Sequence, residues 1–163
     1  MARRAFFSFY YKEDSWRASQ VRNMGVIEGN RPVSDNDWEE IKRGGEKAIK
    51  EWIDDQMRGK SVVIVLIGTN TAERKWVLYE IQRGWELGKG ILGIYIHRLK
   101  DKNGYQSTKG ANPFERFKLG NKKLSEIVKA YDPPYYESKD VYNYIKNNLA
   151  DWVEEAIRIR ENI

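Results

Sequence analysis

Glu80 is the residue of this chain best placed to do chemistry. It sits in Trp76-Val77-Leu78-Tyr79-Glu80-Ile81, shortly after the apolar run Val62-Val63-Ile64-Val65-Leu66-Ile67-Gly68. At about 100° per residue, Val77, Ile81, Gly84 and Gly88 share one helix face, and Glu80 lies on its edge one turn after Trp76. The spacing predicts a half-buried carboxylate. A strand-turn-helix unit in an α/β sheet aims the first turns of its helix at the carboxyl edge of the strands, where such folds bind ligands. The competing account is an exposed partner for a nearby lysine or arginine.

Other chemistries are narrowed by what the chain lacks. With no cysteine, disulfides, thiolate zinc sites and cysteine nucleophiles are excluded, which agrees with a reducing cytoplasm. One histidine, His97, rules out two-histidine metal centres, and no metal site is expected. No serine in a nucleophile elbow accompanies it, so His97 reads as a surface residue at a strand end. The segment Ser8-Phe9-Tyr10-Tyr11-Lys12 carries neither a dinucleotide fingerprint nor a phosphate loop. Nor does the first strand end in the clustered aspartates of a response regulator, since Glu13 and Asp14 lie beyond it.

The elements that must position Glu80 follow from periodicity. Ala5 to Tyr10 reads as a buried strand, followed by a helix from Asp14-Ser15-Trp16 to about Met24 and a short strand at Val26-Ile27. Asn36, with Glu39 in capping-box register, opens a helix in which Trp38, Ile41, Gly45, Ala48, Ile49, Trp52 and Ile53 recur until Gly59. Ser61 to Ile67 and Ile91 to Ile96 are strands on either side of the Glu80 helix, and Ile127 to Ala130 is a fifth. Residues 98–125 form a long polar loop, expected to cover the carboxyl edge of the sheet rather than join the core. After Ser138 as cap, Val141, Ile145, Leu149, Trp152, Ala156 and Ile159 mark a closing helix at about 138–160. Trp16, Trp52, Trp85 and Trp152 are expected to pack the core. The alternation gives an α/β fold: one flavodoxin-like domain over 1–163, its parallel sheet of about five strands flanked by helices on both faces.

With 163 residues, 33% of them charged and a net charge of +5, the chain reads as a single globular domain with an ionic surface. Basic and acidic residues are interspersed, so nucleic acid is not indicated, while a small anionic ligand such as a dinucleotide suits the surplus. Met1-Ala2-Arg3-Arg4 does not lead into a signal peptide, no stretch reaches transmembrane length, and a cytoplasmic location without membrane contact is expected.

Five boxes in order carry a resemblance to a known family. Phe6 to Phe9, Asp37 to Glu39, Val65 to Gly68, Trp76 to Ile81 and Lys109 to Phe114 are similar to the TIR-like subunit of bacterial Thoeris antiphage defence, ThsB. The first and fourth also resemble the first-strand and glutamate-bearing segments of TIR domains generally. The resemblance covers roughly the first 115 residues, and the region after Phe117 is shorter than in relatives.

The resemblance implies cleavage of the nicotinamide-ribose bond of NAD and capture of the ribosyl carbon within the same molecule, giving a cyclic ADP-ribose isomer. NAD is then a substrate and no cofactor is required. Glu80 would supply an anion to the oxocarbenium-like transition state and accept hydrogen bonds from the ribose. Phe9 and Tyr10 would stack on nicotinamide or adenine, or else pack the core, and Ser8 would bond a phosphate or ribose. Trp76 would wall the pocket, Trp38 would flank its gate, and Asn112 would reach it from the long loop, with helix packing and a turn-forming Asn before Pro as the plainer accounts. Implied partners are an effector protein that senses the product, a phage-derived trigger, and a second copy of the chain if subunits share the site. The alternative is a TIR-like interaction or scaffold module without turnover, because one fold serves both ends.

Overall fold

The computed structural model describes residues 3–29 and 40–163. Its centre is a parallel sheet of β1 (Ala5–Ser8), β2 (Val62–Ile67), β3 (Gly90–Tyr95) and β6 (Lys129–Tyr131), in the order β1-β2-β3-β6. At the β1 edge, a single parallel bridge from Arg4 to Glu28 stands in place of the short strand expected at Val26-Ile27. Two backbone bonds make it, Ala5 N–H to Glu28 O and Glu28 N–H to Arg3 O. The architecture is therefore α/β and flavodoxin-like, with four strands in the central sheet among the described residues and a one-residue bridge at its β1 edge.

Alternation along the strands assigns each side chain to a face. Ala5, Phe7, Val62, Ile64 and Leu66 pack under α1 (Tyr11–Arg22) and α4 (Ser138–Glu161). Phe6, Val63, Val65 and Ile67 pack under α2 (Gly45–Met57) and α3 (Lys75–Glu86). Both faces are covered, which is why the strands read as unbroken apolar runs. Ser8 follows Phe6 by two residues and so faces α3. Gly84 lets α3 approach closely, since a Cβ there would stand 2.6 Å from Val63 Cγ2.

Several sequence expectations change. The first strand stops at Ser8 and α1 begins at Tyr11, three residues before Asp14. The helix expected to run through to Gly59 is broken by a turn at Gly44, where Gly45 takes φ +82, a conformation that only glycine adopts cheaply. Asn36, Glu39 and Trp38 lie outside the described residues. Ser138 does not cap α4; its Oγ accepts the Lys100 N–H across 3.1 Å, tying the helix start to the loop after β3. Trp16 is 54% exposed, not core, because α1 turns Ala18 and Val21 to the sheet instead. Trp52 and Trp85 are half-buried, and only Trp152 is buried.

The long segment is also more than a cover. It carries a hairpin of β4 (Lys118–Leu119) and β5 (Lys122–Lys123), and it sends Phe114 and Leu124 into the α2-α3 core. Phe114 fills the space left by Gly93, whose Cβ would stand 2.9 Å from its ring. At the start of the segment, Arg17 donates to Leu99 O at 2.8 Å and Tyr105 O at 2.9 Å. Asp101 Oδ1 accepts from the N–H groups of Asn103 and Tyr105, closing a tight turn with Lys102 at its tip. Phe114→Ala should therefore cost about 3–5 kcal/mol in a denaturant titration, as for a core aromatic. A loss under 1 kcal/mol would show that the segment lies on the core without belonging to it.

Candidate active site

Glu80 is 9% exposed, more deeply buried than the half-buried position its helical spacing predicts. A helical projection cannot register that the end of β1 lies against the edge of the apolar stripe. Ser8 Oγ donates to Glu80 Oε1 at 2.6 Å, a buried bond between residues 72 apart in sequence. No cation pairs with the carboxyl group among the described residues. Burial pushes its pKa up to about 8, against an opposing contribution from the Ser8 hydroxyl. In these surroundings the carboxyl group is mostly a neutral acid near pH 7.

Glu80 lines a cavity of about 1150 Å³ at the carboxyl end of β1. Phe9, Tyr10 and Trp76 line the same cavity, so the structure brings together four of the residues singled out in the sequence. Ser8 reaches it through Glu80, with its hydroxyl engaged by the carboxyl group. Phe9 and Tyr10 are half-buried and present faces rather than packing wholly inside. Trp76 meets Tyr79 edge-on at 5.7 Å and lies under Lys75, itself ion-paired with Glu46.

Two expectations place residues elsewhere. Asn112 is not among the cavity's lining residues, and its Oδ1 accepts the Phe114 N–H at 2.9 Å, capping a short 3-10 turn. That is the turn-forming role of an Asn before Pro. His97 is 4% exposed rather than superficial, because the apolar run of β3 carries it inside; it lies edge-on to Tyr95, and burial lowers its pKa. It too is absent from the cavity.

What the sequence did not single out is the positive charge. Lys12, Arg22, Arg74 and Lys102 all line the cavity. The Arg74 guanidinium lies 4.2 Å from the centre of the Tyr10 ring, and that of Arg22 lies 5.6 Å from the Phe9 ring. Desolvation lowers the Arg22 pKa, and no carboxylate pairs with it among the described residues. These cations come from α1, the start of α3 and the turn after β3, so only the fold gathers them.

Asp14 lies nearby but outside the lining. It is buried beneath Gly68, where a Cβ would stand 2.2 Å from Oδ2, and it pairs with Arg17 at 3.3 Å. Burial raises its pKa to about 6 despite Arg17. Glycine at 68 is what allows the strand-end loop to close over this pair.

Comparison with known proteins decides the family. The sequence model described as Thoeris protein ThsB, TIR-like domain, matches residues 6–101. The chain belongs to this family. A relative from Bacillus cereus (strain MSX-D12), named "Putative cyclic ADP-D-ribose synthase ThsB1", is 35% identical over 159 residues, covering 92% of this chain and 82% of that protein. Similarity to the ThsB family thus extends well beyond the first 115 residues in which its boxes were legible. In this member, the glutamate of the Trp-x-x-x-Glu segment and the serine of the first-strand box are the two partners of the buried bond.

The isolation of Glu80 has a consequence for stability. The folded carboxyl group keeps its proton to about pH 8, whereas an unfolded one loses it near 4.5. Between these values the native state binds more protons, so stability falls as pH rises, by up to about 1.4 kcal/mol per unit. Glu80→Gln removes this penalty while its amide oxygen can still accept from Ser8. Its stability relative to the parent should grow from pH 5 to pH 8 in parallel denaturant titrations. A constant difference would mean that Glu80 titrates normally.

Proposed function

We infer that this chain cleaves the nicotinamide-ribose bond of NAD and closes the ADP-ribose moiety into a cyclic isomer, the signal of a Thoeris antiphage system. Family membership, the named activity of the relative and the buried Glu80-Ser8 pair inside an aromatic cavity support this reading. The last observation carries most weight. A scaffold has no use for a carboxyl group kept out of water and away from every cation, whereas a site for a cationic substrate does.

The chemistry follows from charge. Nicotinamide in NAD carries a fixed positive charge, and its entry beside Glu80 favours the carboxylate, so substrate arrival expels the proton that burial retains. The C1′–N bond breaks with its electron pair going to the nicotinamide nitrogen, which becomes neutral. Positive charge moves to the ribose as an oxocarbenium-like centre, and the Glu80 anion lies in low-dielectric surroundings to stabilise it. A nucleophilic atom elsewhere in the same molecule then bonds to C1′ and releases its proton. Water exclusion by Phe9, Tyr10 and Trp76 favours that closure over hydrolysis. Ser8 positions the carboxyl group and holds its pKa below what burial alone would give.

NAD is the substrate in this account, with no cofactor required. A partner effector answers the cyclic product, and a phage-derived trigger sets the enzyme working. Among the described residues no helix is long and apolar enough to cross a membrane.

Two outcomes test the reading. Purified protein incubated with NAD, alone and with lysate of phage-infected cells, should release nicotinamide and a cyclic ADP-ribose isomer on nucleotide chromatography, and Glu80→Gln should reduce both by a factor of about 10³ or more. Unchanged turnover in that variant would remove Glu80 from the mechanism. In the parent, kcat/KM should rise with pH through a midpoint near 8, the value for the free enzyme. Ser8→Ala should move that midpoint higher still, because its hydroxyl is the one contact that favours the anion. A profile flat from pH 6 to 9 would contradict the assignment.

A further inference from the structure

The glutamate and the aromatic rings account for the nicotinamide end of the substrate and leave the cations at the cavity mouth unused. We propose that Arg74 is a ligand of the NAD diphosphate, held over the Tyr10 ring while the site is empty and released to the phosphates when a substrate ring takes that face. The proposal rests on the NAD-cleaving reading and assigns a residue to the part of the substrate that does not react.

Spacing comes first. Arg74 is the residue immediately before α3, six positions ahead of Glu80, and both line one cavity. Six residues of helix advance about 9 Å. The anomeric carbon and diphosphate of a nucleotide are separated by a ribose and one methylene, a distance that the long arginine side chain can accommodate from there. A carboxyl group at the anomeric carbon therefore puts the diphosphate within reach of Arg74.

Charge comes second. Arg74 has no carboxylate partner among the described residues, and its guanidinium rests on the Tyr10 ring. Lys12 and Lys102 line the same cavity without ion pairs among the described residues. Arg22, partly desolvated beside Phe9, likewise lacks a counter-ion there. A cavity with several unneutralised cations is electrostatically incomplete, and a diphosphate supplies two negative charges. Its inner end suits the opposite charge: Glu80 is the buried carboxyl group of the lining, while the other acid there, Glu46, is exposed and already paired with Lys75. The dipolar pattern, anion inside and cations outside, matches a molecule with cationic nicotinamide at one end and diphosphate in the middle.

Competition comes third. A guanidinium over a half-buried ring is held weakly compared with a bidentate, charge-assisted bond to phosphate. Displacement by a stacking base is therefore favourable as long as phosphate receives the displaced cation. The backbone of the turn that presents Lys102 is fixed by Asp101 and Arg17. Lys102, on a braced turn, and Arg74 thus line the same cavity.

The test compares ligands with and without phosphate by isothermal titration calorimetry. ADP-ribose and nicotinamide riboside are titrated into the parent, Arg74→Ala, Arg74→Lys, and a remote control, Arg116→Ala. Arg74 is exposed and rests on Tyr10, so truncation leaves the fold intact. Arg74→Ala should weaken ADP-ribose by about 10- to 100-fold, the range for hydrogen bonds to a charged group. Nicotinamide riboside, which has no phosphate and carries a positive charge, should bind as well as before or better. Arg74→Lys should fall between parent and Ala for ADP-ribose, and Arg116→Ala should match the parent.

Equal affinity of parent and Arg74→Ala for ADP-ribose would overturn the proposal. So would an equal loss for both ligands, or a parent that binds ADP-ribose no better than the riboside. If the parent shows the expected pattern yet never releases nicotinamide from NAD, the cleavage reading fails and the diphosphate assignment stands. If NAD is cleaved while Arg74→Ala keeps parental affinity, the assignment alone fails.

Discussion

One hydrogen bond, from Ser8 to Glu80, ties the site to the fold. It joins the last residue of β1 to the middle of α3, and it forms only if the pairing of β1 with β2 and the packing of α3 on the sheet are both correct. A one-residue slip of β1 would turn Ser8 to the other face of the sheet and put an aromatic ring against the carboxyl group. Gly84 sets the height of the helix by letting it approach Val63. The bond is thus a local reading of global register, and it leaves Glu80 with one polar partner instead of the cation that would make it an ordinary buried ion pair.

That single partner explains the functional poise. A carboxyl group paired with arginine would be permanently ionised and electrostatically spent, with little left for a substrate. Glu80 instead waits as a neutral acid in an apolar end of the cavity, while the basic residues stand further out where water still reaches them. In the proposed reaction, this separation of charge within one cavity would orient a substrate that is itself dipolar. It would also select for a cationic leaving group, because such a group favours the carboxylate over the acid. The buried Asp14-Arg17 pair contrasts with it: there a cation is present, three strand-end segments are held together, and the burial serves structure.

Much of this was legible in the residues. The apolar run of β2, the stripe on α3 and the long closing helix follow their periods closely, because each buries a continuous face. Glu80 stood out since its position on the edge of that stripe is a property of one helix. Its full burial did not, because it depends on Ser8, which sequence reasoning directed to phosphate or ribose. His97 and Trp16 were exchanged between inside and outside for a similar reason: one follows a strand by two residues and is carried into the core, and the other sits on a helix whose buried face is narrow. The polarity of residues 98–125 concealed Phe114 and Leu124, apolar anchors scattered among polar residues. The cations were hidden most completely, as Lys12, Arg22, Arg74 and Lys102 are each typical surface residues in sequence and become a set only when three elements meet. The five family boxes were more specific than any of these local signals, and the family match supports them.

The central claim is that Glu80 is neutral in the empty site and becomes an anion when a cationic ring arrives. It is tested most directly by following the side-chain carboxyl carbon of Glu80 by NMR across pH, with Glu80→Gln to assign the signal. The titration is run without ligand and with a carbocyclic NAD analogue, which keeps the nicotinamide cation but lacks the ring oxygen needed for cleavage. The account predicts a midpoint near 8 in the free protein and a fall of a unit or more with the analogue bound. A midpoint near 4.5 in the free protein, or one that the bound cation leaves unmoved, would contradict it.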